Sequence, residues 1–381
     1  MRYCLRCLNP DTRPNSRFGV DSICEPCHFA TASDHVEFAS RFEELAAIVD
    51  QKVQRVRRDR SARWDCIVGV SGGKDSTRQA LWVRERLELR PLLVSIGFPP
   101  RQMSYMGARN LSNLAELGFD VHFLGPAPSL SRRLVREAFF RFGNFMKPTE
   151  MALFAGVPRI AIEKGIPLVF FGENPALQVG DSAMLGSDIW DGNNLVYGNT
   201  LAGGDLGWFT EVTDQDTHLR PYQFPSNQEL ADHDVQTIFL GPAWSDWSAE
   251  MNSATALAHG LSSRPLDGPI TDDPYGTSML DECFMTVHFL LKFYKLGFGR
   301  ATDIASTLIR RGELTREEGI LLVERHDGQC PQQDIDLFCA YISVTANEFG
   351  ATVRRFTNEC LFETSGEIPV PRFKVGYGIN T

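Results

Sequence analysis

The chain has 381 residues, 43% of them hydrophobic and 23% charged, with a formal net charge of −10. That length can bury a full core in two or three units, and the acidic balance argues against broad, non-specific binding of nucleic acid. No apolar run reaches the length of a membrane span, and the opening Met1-Arg2-Tyr3-Cys4 lacks the apolar core of a signal peptide, so the expected address is the cytoplasm.

Nine cysteines in so large a chain point to metal binding wherever their spacing is regular. It is regular at the N-terminus, where Cys4-x-x-Cys7 and Cys24-x-x-Cys27 are separated by 16 residues, the pattern of a two-knuckle, four-thiolate zinc site. A closed four-sulfur shell leaves no position for substrate, so residues 1–30 read as a structural zinc unit with little core of its own. His28 is surplus to that shell. Residues 31–62 read as a linker helix carrying Phe42, Leu45, Ile48 and Val49 on one face. The stretch from Lys52 to Arg63 holds six basic residues against one acid, either a solvated helix edge or a surface for an anionic substrate.

From 63 to 179 strand and helix alternate. A buried-type strand, Cys66-Ile67-Val68-Gly69-Val70, runs into Ser71-Gly72-Gly73-Lys74-Asp75-Ser76 and then a helix with Ala80, Leu81, Val83 and Leu87. Strand, glycine turn and helix put bare backbone N–H groups at a helix N-terminus, where unpaired donors and the helix dipole together favour an anion. Pro91–Ile96 reads as a second strand, Val121–Leu124 as a third and Pro167–Phe171 as a fourth, which enters Gly172-Glu173-Asn174-Pro175. Between them lie helices marked by Leu111 and Leu114, by Leu134 and Ala138, and by Ile160 and Ile162, with Gly118 and Gly165 as stops. The expected fold is therefore α/β, a parallel sheet covered by helices on both faces, with ligand beyond the carboxyl ends of the strands, where Ser71, Gly97 and Gly172 fall.

Residues 180–277 dissolve into Gly, Asp, Asn, Pro and tryptophan, including Trp190, Trp208, Trp244 and Trp247, and read as a substrate-recognition insertion. Residues 278–381 read as a C-terminal helical region, with Cys283, Val287, Leu290 and Leu291 on one helix face. Thr315 with Glu318, and Thr345 with Glu348, have capping-box spacing. His288, Cys339 and Cys360 read as packing residues.

Ser71 to Ser76 lacks the spacing of the nucleoside-triphosphate P-loop and resembles instead the PP-loop of the ATP pyrophosphatases, which cleave ATP between its α and β phosphates. That resemblance implies bound ATP with magnesium. Gly72 and Gly73 would close the main chain on the phosphates, Ser71 and Ser76 would donate hydroxyls, Lys74 would neutralise charge and Asp75 would hold the magnesium. Ile96, Gly97, Gly172 and Glu173 would complete the nucleotide site.

The chain as a whole resembles the N-acetyl sugar amidotransferase family, bacterial enzymes that turn a sugar acetamido group into an acetamidino group. The likeness rests on the paired cysteines, Ser71–Ser76, Arg109-Asn110-Leu111, Gly172-Glu173-Asn174, the run from Lys295 to Asp303, Ile309-Arg310-Arg311-Gly312 and Thr315-Arg316-Glu317-Glu318. It implies adenylation of the acetamido oxygen of a free or nucleotide-linked N-acetyl sugar, attack by ammonia from a separate glutaminase subunit, and release of AMP and pyrophosphate in surface-glycan assembly such as lipopolysaccharide O-antigen. It also implies that Lys74, Asp75, Glu173, Lys295 and Arg300 take part in catalysis, with Arg310 a further cation for phosphate. Two alternatives stand beside it: tRNA thiolation, which needs a reactive thiol near ATP, and another ATP-dependent amidation in natural-product assembly.

Overall fold

The computed structural model describes residues 1–33, 37–58, 62–172, 190–194, 204–213, 219–265, 273, 275–366 and 368–379. Glu173, and with it Asn174 and Pro175, lies outside the described residues.

Five parallel strands form the central sheet: β1 (Cys66–Gly69), β2 (Pro91–Ile96), β3 (Asp120–Leu124), β4 (Leu168–Phe171) and β5 (Gln236–Phe239), in the order β3-β2-β1-β4-β5. Their side chains alternate between two cores, as the pleat requires. Val68, Leu93, Phe170 and Ile238 face one core, with Leu45, Val49, Ala80, Leu81, Leu111 and Leu114. Ile67, Leu92, Val94 and Val169 face the other, with Leu134, Ala138, Val157, Ile160 and Ala161. Helices α2 (Phe38–Arg58), α3 (Lys74–Arg86) and α4 (Tyr105–Glu116) thus cover the first face, and α5 (Pro128–Phe142) and α6 (Lys147–Lys164) the second. A sheet apolar on both faces explains why its strands read as unbroken hydrophobic runs.

The chain winds one way from β1 to β3 and the other way through β4 to β5, so the strand order reverses between β1 and β4. The crevice beyond the carboxyl ends of those two strands is where doubly wound sheets take ligands. The glycine loop follows β1 and Gly172 follows β4.

The fifth strand comes from within 180–277, a stretch that sequence patterning reads as irregular throughout. Gln236–Phe239 pairs with β4 from Leu168↔Gln236 to Phe171↔Phe239. Four residues amid Gly, Asp and Trp give too short a period to stand out. Within the same stretch, Trp190 and Trp244 are buried in the first core and Trp208 in the second.

Five further helices, α9 (Met285–Leu296), α10 (Arg300–Arg310), α11 (Arg316–His326), α12 (Gln332–Ile342) and α13 (Ala346–Phe356), make the C-terminal region; α7 (Asn227–Asp232) and α8 (Ala249–Ala258) precede them. Both expected capping boxes, Thr315 with Glu318 and Thr345 with Glu348, are formed. Phe284, Val287, Leu291, Phe338 and Phe349 pack against Val135 and Phe139 of α5, which joins the region to the sheet. His288 is a packing residue whose ring lies 5.8 Å from that of Phe145, and burial pushes its pKa down to about 3. Two cysteines differ from expectation: Cys283 precedes α9 and is exposed, and Cys360 is also exposed.

Residues 25–33 form a separate short helix, α1 (Glu25–Ser33), before α2. Helix α2 is tied to the sheet by Asp65, whose buried carboxylate accepts from Arg57 at 3.2 and 3.1 Å and from the Arg90 side chain at 2.8 Å. Burial pushes this carboxyl up, but Arg90 and Arg57 outweigh it and hold it down to about 2. A depressed carboxylate stabilises fully above its unfolded value near 4 and loses that contribution as pH falls through about 2. Asp65→Asn should therefore cost about 2 kcal/mol at pH 7, with both arginines half exposed, and roughly half as much at pH 3. Urea denaturation at the two pH values checks this, and an equal cost at both would rule out the charge as its source.

No helix among the described residues is long and apolar enough to cross a membrane.

Candidate active site

The loop between β1 and α3 is held open by its own hydroxyls. Ser71 N donates to Ser76 Oγ and Gly73 N to Ser71 Oγ, each at 3.3 Å, while Ser76 Oγ donates to Gly73 O at 3.2 Å. Gly73 is the N-cap of α3 and supplies no side-chain cap, so the first amides of a 13-residue helix point outward without a capping partner. Those amides and the helix dipole favour an anion at the loop.

Gly72 has φ +82, and a Cβ there would stand 2.9 Å from Leu111 N and 3.2 Å from Asn110 C. Both the left-handed backbone and the approach of α4 therefore demand glycine. Gly72→Ala is expected to cost roughly 2–3 kcal/mol in chemical denaturation, from strain plus displacement of α4; an unchanged midpoint would mean that the loop has slack. Asn110 is buried at this contact and exchanges hydrogen bonds with Ser262, from Nδ2 to Ser262 O at 3.0 Å and from Ser262 N to Oδ1 at 2.8 Å. Within Arg109-Asn110-Leu111, the asparagine is a structural pin, Leu111 packs on Gly72 and Arg109 is exposed.

Lys74 Nζ lies 2.7 Å from Asp75 Oδ2, and Asn252 Nδ2 donates to Asp75 Oδ1 at 2.6 Å. Arg78 in turn donates to Asn252 Oδ1 at 2.7 Å and to Asp246 Oδ2 at 2.6 Å, and lies 5.0 Å over the Trp244 ring. The start of α8 is thereby clamped onto α3, and the Asp75 carboxylate is fixed in direction by a cation and an amide. Sequence patterning does not single out Arg78, Asp246 or Asn252, because their pairing with the loop exists only in the folded chain.

Two cavities meet at this loop and share Ser71, Gly73 and Asp75. The first, about 210 Å³, has aromatic and aliphatic walls from Phe154, Phe171, Phe239, Trp247 and Ile96. Gly172 admits the Trp247 ring, since a Cβ there would fall 2.5 Å from Trp247 Cη2. Gly97 is set back, with its amide donating to Leu124 O at 3.0 Å. The second cavity, about 340 Å³, sets charged and polar groups into a largely apolar wall: Lys74, Asn110, Thr149, Glu150, Thr277, Ser278, Asp281, Glu282 and Arg300 contribute to it.

Arg300 opens α10, whose N-terminus is capped by Asp327 accepting from Gly299 N at 2.7 Å, Ala301 N at 2.9 Å and Thr302 Oγ1 at 2.6 Å. Burial pushes the Asp327 carboxyl up to about 6 against those donors. Lys295 does not line either cavity; its Nζ donates to Phe142 O at 2.6 Å. Arg310 stands at the cysteine cluster, with Nη1 3.9 Å from Cys7 Sγ.

The four thiols of Cys4, Cys7, Cys24 and Cys27 are buried, with all sulfurs within 4.8 Å of one another. Cys4 and Cys27 are 3.8 Å apart at sulfur and Cys7 and Cys24 3.7 Å. A tetrahedron with bonds of about 2.3 Å has edges of about 3.8 Å, so the set fits a structural metal such as zinc and excludes disulfides. The amides of Asn9 and Cys24 each donate to a sulfur at 3.3 Å, which suits thiolate.

Residues 275–374 match the family model described as LPS biosynthesis protein WbpG-like, C-terminal domain. No curated protein matches the chain. The matched segment contributes Thr277, Ser278, Asp281, Glu282 and Arg300 to the second cavity, facing the glycine loop. A segment similar to a domain of lipopolysaccharide biosynthesis proteins thus contributes to a cavity at the end of the five-stranded parallel sheet.

Proposed function

We propose that the chain is an ATP-dependent, AMP-forming amidotransferase of the PP-loop type, which converts an acetamido group of a nucleotide-linked N-acetyl sugar into an acetamidino group for bacterial surface-glycan biosynthesis. One observation carries this reading: an uncapped helix N-terminus at the sheet's reversal point is shared by an aromatic cavity and one that bears charged side chains, and part of the wall of the latter belongs to the lipopolysaccharide-type segment.

The chemistry follows from the bond to be changed. An amide oxygen is a poor leaving group, so it first attacks the α phosphorus of ATP; the bond to the β phosphate breaks and pyrophosphate leaves. Ammonia then adds to the imidate carbon, and the C–O bond to AMP breaks. The purine would lie in the first cavity against Phe154, Phe171 and Trp247, with the phosphates at the loop amides and Lys74. The sugar occupies the second cavity, where Arg300 and Lys74 face its charged carrier. Asp75 is the described carboxylate at the junction suited to magnesium, a hard cation that supplies charge to the departing pyrophosphate; Glu173 remains a proposed companion to it. Ammonia comes from a separate glutaminase, and the reaction belongs in the cytoplasm with its ATP.

Sulfur transfer to tRNA is the rival, and it needs an activated thiol beside the nucleotide. No cysteine lines either cavity; burial pushes the Cys66 thiol up, and partial desolvation with the charges of Glu282 and Asp334 raises that of Cys283, away from the reactive thiolate. The test is incubation with ATP, ammonium and a panel of nucleotide-linked diacetamido sugars, with pyrophosphate measured and products weighed by mass spectrometry. Replacement of one oxygen by NH, with AMP and pyrophosphate formed, is the expected result. Release of ADP and orthophosphate overturns the assignment.

A further inference from the structure

The second cavity contains a carboxylate for which the nucleotide chemistry just described has no use. Asp281 lines its wall with Lys74 and Arg300, and no side chain among the described residues pairs with its carboxylate. Its backbone is clamped. Ser104 N donates to Asp281 O at 3.1 Å, Cys283 N donates to Gln102 O at 2.9 Å, and Met103 bridges Glu282 in antiparallel fashion. Helix α4 presses so closely that a Cβ on Gly107 would lie 2.6 Å from Asp281 Cα. A carboxylate with no side-chain hydrogen bond among the described residues, on a backbone held at both ends, lining one cavity with the glycine loop, is prepared for a charge or proton that arrives only with substrate.

We infer that Asp281 is the base that accepts a proton from ammonium at this wall and so delivers ammonia to the adenylated imidate carbon. The inference rests on the amidotransfer reading above. Ammonium carries no lone pair, so an N–H bond must break before a C–N bond can form. The Asp281 carboxylate takes that proton. The freed lone pair attacks the imidate carbon, the C=N π pair moves to nitrogen and collects a proton from the incoming nitrogen, and the C–O bond to AMP breaks with its electrons leaving on the phosphate. The amidinium product departs, and the proton on Asp281 passes to solvent as the site opens. No oxidant or further co-reactant is needed.

The electrostatics support the assignment. Burial raises the Asp281 carboxyl, and Arg264, Arg300 and Lys74 oppose that without reversing it. Its neighbour Glu282 is pushed up to about 8, by burial first and further by the charge of Asp281, despite the Phe284 amide donated to Oε2 at 2.9 Å. Glu150 of α6 and Asp75 of α3 are the other carboxylates on the cavity wall. A carboxylate with raised proton affinity is better matched to ammonium, whose own value is about 9, than an ordinary aspartate near 4.

The experiment separates the two steps and uses a second nucleophile. Hydroxylamine, with a conjugate acid near 6, is already neutral at pH 7.5 and needs no proton removed before attack. Asp281→Asn should lower amidine formation from ammonium about 10²-fold at pH 7.5, keep the rate of the first-turnover burst of pyrophosphate within a few-fold, and use hydroxylamine nearly as well as the wild type. Its rate with ammonium should climb about tenfold per pH unit towards pH 9, as free ammonia accumulates, while the wild type climbs less steeply. Equal losses with both nucleophiles, or no loss with either, would overturn the role of Asp281. A steep, ammonia-limited pH profile in the wild type itself would overturn it whatever the variant's folding. Failure of the wild type to release pyrophosphate with any sugar would instead strike the amidotransfer reading, so the two failures are distinct.

Discussion

Lys74→Ala is expected to cut substrate-dependent pyrophosphate release by about 10²–10³-fold while leaving the fold intact. The lysine stands in the first turn of α3, with its side chain 11% exposed and its ammonium 2.7 Å from Asp75 Oδ2. Within the cavity wall that ammonium is the cation of the loop itself, and Arg300 is carried separately by α10. When the α–β bond of ATP breaks, negative charge builds on the departing pyrophosphate, and a fixed cation at the loop meets it without reorganisation. Removing Lys74 leaves Asp75, 30% exposed, with Asn252 as its bonded partner, a loss of about 1–2 kcal/mol, which an α/β domain of this size tolerates. Lys74→Arg is expected to restore little, because a longer planar fork cannot take the place of a compact ammonium. Wild-type turnover by Lys74→Ala, with the same Tm, would defeat the proposed chemistry at its centre.

How much of this was legible in the sequence depends on whether the information is local. The strands around Val68, Leu93 and Phe170 are readable because both faces are apolar and each run is bounded by turns. The glycine loop is readable because its backbone geometry demands Gly72 and its charge demands Lys74. The partners of that loop are not. Asn252 reaches Asp75 across 177 residues, from a stretch that has no period of its own. Asp281 is unmarked for the same reason: one of two adjacent acids in a short extended segment signals nothing until Gly107 and Ser104 fix it against the cavity. Arg310 shows the converse limit. In sequence it is a cation that suits a phosphate, and in the fold it is a cation beside sulfur, because both tasks ask for the same side chain.

That position of Arg310 leads to the second large effect. Cys24→Ser, or removal of metal by a strong chelator, should lower Tm by many degrees and provoke aggregation, because the cysteine unit is docked on the C-terminal region rather than hung from it. Leu8 and Tyr3 are buried with Ala301, Ala305, Ile320 and Phe362. Thr12 Oγ1 donates to Leu296 O at 2.6 Å, and Arg13 pairs with the buried Asp303, which Lys292 also reaches at 2.7 Å. Metal binding in isolated knuckles supplies roughly 10 kcal/mol or more to folding, and the share realised here is whatever those contacts cannot provide alone. Arg310 and Arg316 would also face uncompensated positions once the thiolate charge disperses, since Arg316 donates to Cys4 O at 3.4 Å. Loss of the unit bares the apolar faces of α10 and α11, and with them the support of Arg300 at the second cavity. Activity should therefore fall in step with unfolding and not before it, which is the mark of a structural metal. Zinc content by elemental analysis, thermal melts and pyrophosphate release on the same samples test this. A Cys24→Ser protein that keeps its metal and its Tm would refute the thiolate site, and one that loses activity at full stability would make the metal catalytic.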